Sequence, residues 1–212
     1  MSPRPSFPEM SMIRARRLAP LLALVLSLVL AVPVLADAVL EVAGPKGVRS
    51  FTLAELKKLR STTGLAGTLT SAGRIARPTR FRGVALADVL AAAGGMDAAH
   101  DVAVAAADGY RVTFTPAQVA AGDFTAFDPV RGDTLAVHEP LTLLLAWEHE
   151  GRALDPADDG PLRLVVVTPR GGALVDAHLS VKNAAKITLV AGSRAWRLEL
   201  EGAHPEAMDQ AT

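Results

Sequence analysis

With 212 residues, half of them apolar, the chain is long enough for one domain with a sizeable core and too short for two of ordinary size. Its 22 basic residues balance 22 acidic ones, so the electrostatic footprint of a nucleic-acid-binding protein is missing. Cysteine is absent, which excludes disulfides, thiolate metal ligands and a cysteine nucleophile.

The first 36 residues have the pattern of an export signal. Arg14, Arg16 and Arg17 form a positive region, Leu21–Val32 is apolar apart from Ser27, and Val34-Leu35-Ala36 supplies a cleavage site. A signal peptide over residues 1–36 is therefore expected, with a periplasmic or secreted mature protein and no membrane association after cleavage. The Arg16-Arg17 pair leaves twin-arginine export open beside the Sec route. Removing four arginines and one glutamate leaves 18 basic and 21 acidic residues, a net charge near −3. Residues 37–201 are expected to form the domain, and 202–212 a frayed tail.

Within the domain, Ala38–Val42 reads as a first strand ending at Gly44-Pro45. Thr52-Leu53-Ala54-Glu55 is a capping box, and the stripe Leu53, Leu56, Leu59 predicts a short amphipathic helix over Thr52–Arg60. Thr68–Arg82 carries Arg74, Arg77, Arg80 and Arg82, with the last two on one face if the segment is a strand. Such a segment is either a solvated hairpin or an anion-facing wall, because guanidinium forks match oxyanions. A helix over Leu86–Ala93 ends at Gly94-Gly95, and Val102–Ala106 and Arg111–Phe114 form a hairpin about Asp108-Gly109. Thr115-Pro116 starts another helix, Ala121–Glu139 is a loop, and Leu141–Glu150 is an apolar strand. Two further strands are expected at Leu162–Val167 and Ile187–Val190, joined through a Gly-rich connection containing Gly171 and Gly172, and a last one at Ala195–Leu200. Arg163 and Lys182 stand at the edges of apolar strands, where a solvated charge has little reason to be, and the connection between them could offer free backbone amides to an anion. No two of the five histidines have the spacing of a zinc motif, and neither Ser71 nor Ser180 sits in a nucleophile elbow.

The run Asp158-Asp159-Gly160-Pro161-Leu162-Arg163, the later Pro169 and Ser180-Val181-Lys182-Asn183 resemble the signature of the oxidoreductase molybdopterin-binding domain family. Leu69-Thr70-Ser71-Ala72-Gly73-Arg74 and the helix opening Gly83–Leu90 are similar to that family as well. The resemblance implies an α+β, mixed-sheet domain of the sulfite oxidase type. It implies molybdopterin as cofactor and places Ser71 where the family has its molybdenum-ligating cysteine. It further implies Arg163, Ser180 and Lys182, with Arg74 and Arg82, as groups lining a pterin-phosphate pocket, and a redox partner protein. Asn183 stands where the family has tryptophan. Two readings stay open: an exported molybdopterin-dependent oxidoreductase, and a cofactor-free periplasmic module that keeps the fold and binds a small anionic ligand or a partner.

Overall fold

A computed structural model of the chain describes residues 37–192. The signal segment, the strand expected at Ala195–Leu200 and the tail lie outside the described residues. Strands β1 (Ala38–Gly44) and β2 (Gly47–Thr52) form a hairpin that leads into helix α1 (Leu53–Lys58). Thr52 Oγ1 accepts from the Glu55 amide at 3.2 Å while the Thr52 amide donates to the Glu55 carboxylate at 2.8 Å, so two otherwise free amides are satisfied. β3 (Ser61–Leu69), β4 (Ile75–Ala85), α2 (Leu86–Ala92), β5 (His100–Ala106), β6 (Arg111–Phe114) and α3 (Pro116–Ala121) follow. After the loop come β7 (Thr142–His149), β8 (Arg152–Ala153), β9 (Arg163–Val167), β10 (Val175–Asp176), a 3-10 turn at Ala177–Leu179, and β11 (Ala184–Ala191).

The strands make two sheets, and the domain is α+β, as the resemblance implies. The first has the order β2-β1-β11-β5-β6, with β1 and β11 parallel and the other neighbours antiparallel. The second runs β10-β3-β4-β7-β8, with β9 also paired to β7. This second sheet curls until it meets itself: Leu65 of β3 and Thr168 after β9 exchange backbone hydrogen bonds of 2.8 and 2.9 Å. Gly64 permits the approach, since a Cβ there would come within 2.7 Å of the Val167 side chain. Pro78 lies where the β3–β4 register shifts, and a strand interrupted by a bulge can accept a residue with no amide hydrogen.

Period-two alternation sorts the side chains of the curled sheet. Val84, Leu143, Leu145, Leu164 and Val166 face the first sheet and meet Val42, Val102, Val104, Phe114 and Ile187 in the main core. Each such side chain, fully buried, stabilises the fold by about 1.5–3 kcal/mol. The opposite face of the curl carries Ala66, Phe81, Leu144, Ala146, Val165 and Val167, which pack with Leu154 as a second, smaller cluster. Two of these six are alanines, so the inside of the curl is not filled along its whole length.

Candidate functional site

The unfilled end of the curl is a cavity of about 190 Å³. Ala66 and Thr68 of β3, Arg77, Thr79 and Phe81 of β4, His149 of β7, Arg163 and Val165 of β9, and Ser180 line it. Alternation explains two of these pairs: Thr79 and Phe81, like Arg163 and Val165, are two apart in strands and share a face. The lining mixes apolar side chains, among them Val166 and Val175 of the main core, with these polar groups.

Arg163 is the best fixed of these groups. Its Nε donates to Ser180 Oγ at 3.1 Å and its Nη1 to Asp159 Oδ1 at 2.9 Å. Ser180 Oγ in turn donates to the Leu164 carbonyl at 3.2 Å, which fixes the hydroxyl as acceptor for Arg163. The Arg163 and Asp159 side chains are 22% and 11% exposed, so this pair is largely withdrawn from water. The guanidinium carbon lies 5.7 Å from the centre of the Phe81 ring. Phe81 stacks on His149 with ring centres 4.4 Å apart, and His149 Nε2 lies 2.9 Å from Thr79 Oγ1. Among the described residues no protein group engages Nη2 of Arg163, so one edge of a charged fork remains available in the cavity.

A tight turn delivers the carboxylates. The Asp155 carbonyl accepts from the amides of Asp158, Asp159 and Gly160, and the Asn183 amide donates to the Asp159 carbonyl at 2.6 Å. Gly160 has φ +70°, and any Cβ there would strike Asn183, so glycine is needed twice over. Lys182 Nζ lies 2.6 Å from Asp158 Oδ1 and 3.6 Å from Asp159 Oδ1. The hydrogen bond and charge of Lys182 hold the Asp158 carboxyl below its ordinary range.

Of the residues singled out in the sequence, the structure brings Arg163 and Ser180 to the cavity, with Lys182 tied to the same aspartate pair but outside the lining. Ser71 is exposed in the turn between β3 and β4, and is not among the lining residues. Arg74 is exposed in the same turn, its amide donating to Thr70 Oγ1 at 3.0 Å. Arg82 lies in an outer cleft with Arg80, Ser61 and Thr63, 4.0 Å from Glu148. The expected free amides of the Gly-rich connection are a correction. Arg170 and Gly172 donate to the Glu139 carboxylate, and Gly171 donates to Thr168 Oγ1 at 2.8 Å, so the chain's own side chains consume them. Arg77 belongs to the segment read as a solvated hairpin or an anion-facing wall, whereas Thr79, Phe81 and His149 were not singled out for the site. The alternation Thr79-x-Phe81 was readable, but its meeting with His149 depends on a β4–β7 pairing between residues far apart in sequence.

No curated relative matches the sequence. Among solved structures, the sulfane dehydrogenase SoxCD from Paracoccus pantotrophus is similar in fold, with a TM-score of 0.51 and 20% identity, over 71% of this chain and 37% of that one. The chain therefore spans little more than a third of that relative, and the likeness is one of fold. The family model described as "Oxidoreductase molybdopterin binding domain" matches residues 30–176, which takes in β1 to β10 and stops short of Ser180 and Lys182. This match spans well over half of the sequence and agrees with the mixed-sheet architecture, so the chain belongs to the oxidoreductase molybdopterin-binding domain family.

Proposed function

We propose that this chain is an exported ligand-binding member of its family, which receives a small anion at Arg163 and does not use a thiolate-bound molybdenum centre. The observation that carries the reading is the state of Arg163: a partly buried guanidinium, held on two sides by Asp159 and Ser180, with a free edge in a cavity. A fork fixed in this way loses little freedom on binding an oxyanion, and the partial burial of Arg163 strengthens the contact. Arg77 adds a second charge at the wall. Export rests on the Arg14–Ala36 pattern, and the ligand would then be one met outside the cytoplasm.

The family's cofactor fits these residues poorly. A soft thiolate cannot come from a chain without cysteine, and a hydroxyl in its place must lose a far more tightly held proton. Ser71, the position that resembles the family's ligand, is exposed in a turn rather than set in the cavity. No step is therefore routed through molybdenum.

Calorimetric titration of the protein with a panel of carboxylates, sulfate, phosphate and molybdopterin, repeated on Arg163→Gln and Lys182→Ala, tests the proposal. A small anion should bind, Arg163→Gln should weaken it by about 1.5–3 kcal/mol, and Lys182→Ala should change it far less. Equal losses in both variants would move the site to the aspartate turn. Tight binding of molybdopterin alone, with a redox partner protein and sulfite or sulfoxide turnover, would restore the oxidoreductase reading.

A further inference from the structure

The cavity restricts which anion it can take. Its charge is nearly spent internally: Asp159 offsets Arg163, and Arg77 is left as the one unpaired cation of the lining among the described residues. Arg77 is exposed and screened by water, so the partly buried Arg163, already shared with Asp159, is the one charge the site offers, which suits a monoanion better than the doubly charged sulfate. Arg163 has Nε and one Nη1 hydrogen committed, which leaves its remaining N–H groups for a single head group.

The rest of the wall asks for carbon. Ala66 and Val165 lie along it, and Phe81, 4% exposed and stacked flat on His149, forms one broad side. An inorganic oxyanion would leave these apolar surfaces against water. A cavity of about 150 Å³ holds benzene, so 190 Å³ leaves space for a ring of that size plus one small charged head.

We propose that the ligand is a small organic monoanion, a compact apolar body of benzoate size carrying one carboxylate or sulfonate, with its head on the free edge of Arg163 and its body against Phe81, Ala66 and Val165. This rests on the reading of the cavity as an anion site and narrows it. The same geometry makes Phe81 and Val165 specificity-determining residues, because they set the width and depth available to the body.

The test is a calorimetric series on the protein at about 0.15 M salt: benzoate, benzenesulfonate and butanoate against sulfate, phosphate and neutral benzyl alcohol. The organic monoanions should bind at least about tenfold tighter than either inorganic dianion and than the alcohol. Val165→Phe, which fills the cavity floor, should weaken benzoate by about tenfold or more while leaving a smaller acetate contact at Arg163 in place. Where that variant does not fold by circular dichroism, Ala66→Val serves in its stead, and the wild-type series decides without either. If sulfate or phosphate binds as well as benzoate, the organic-acid assignment is overturned while the anion reading survives. If benzyl alcohol matches benzoate, or nothing binds, both readings fall.

Discussion

Replacing Asp159 by Asn separates what this residue does for the fold from what it does to the ligand. In the native protein Asp159 Oδ1 accepts from Arg163 Nη1 at 2.9 Å and faces Lys182 Nζ at 3.6 Å. Asparagine keeps an oxygen for Arg163 but removes the charge, so an ion-paired bond becomes a cation–dipole bond and a partly buried guanidinium loses its counter-charge. Because Arg163 is 22% exposed, the cost belongs at the low end for a broken ion pair, about 2 kcal/mol, read as a shift of the urea midpoint with unchanged m. The effect on the ligand has the opposite sign. An anion on the free edge of the guanidinium would sit about 6 Å from the Asp159 carboxylate, a repulsion near 3 kcal/mol at an effective dielectric constant of about 20. Screening by salt and a retained dipole reduce this to about 2 kcal/mol, so Asp159→Asn should tighten benzoate by roughly 30-fold. Calorimetry on the variant at 10 °C, where the destabilised protein is still folded, measures it. A variant that loses affinity together with stability would refute the placement of the anion beside the Arg163–Asp159 pair.

Gly83→Ala should prevent folding, because a Cβ at Gly83 would collide with the backbone of Leu145 and Ala146 where the β4–β7 register shifts; soluble, cooperatively unfolding Gly83→Ala protein would contradict the pairing. Lys182→Met should raise the Asp158 pKa toward the ordinary carboxylate value, visible in the carboxyl carbon shifts on acid titration. Since the folded pKa of Asp158 lies below its unfolded value, the stability it contributes is present above the unfolded pKa and lost as pH falls through the folded one; Lys182→Met should flatten that part of the acid limb, and an unchanged limb would show the pair to be unimportant. Thr115→Ala removes the hydroxyl that accepts from the Gln118 amide at 3.2 Å and should cost about 1 kcal/mol in chemical denaturation.

Local signals carried much of the fold. Thr52 with Glu55 and Thr115 with Pro116 start helices where their side chains can satisfy free amides, and Gly109, at φ +93°, turns the β5–β6 hairpin as Asp108-Gly109 foretold. β3 was hidden because its Thr-Thr-Gly-Leu-Ala-Gly run has weak strand propensity. Its glycines serve a non-local purpose, letting β9 and Leu174 approach from segments a hundred residues away. The same distance concealed the site. Arg163 and Ser180 could be suspected, since a charge and a hydroxyl beside apolar strands need partners. That Phe81 would lie on His149, and that Glu139 would occupy the amides of the Gly-rich connection, follows only from tertiary pairing.

Anion binding at Arg163 in place of a thiolate-bound molybdenum centre can be checked by elemental analysis for molybdenum in protein purified from its native source grown with ample molybdate. Only trace metal, far below one atom per chain, is expected in protein that still binds benzoate. Molybdenum at one atom per chain, retained through gel filtration, would contradict that expectation.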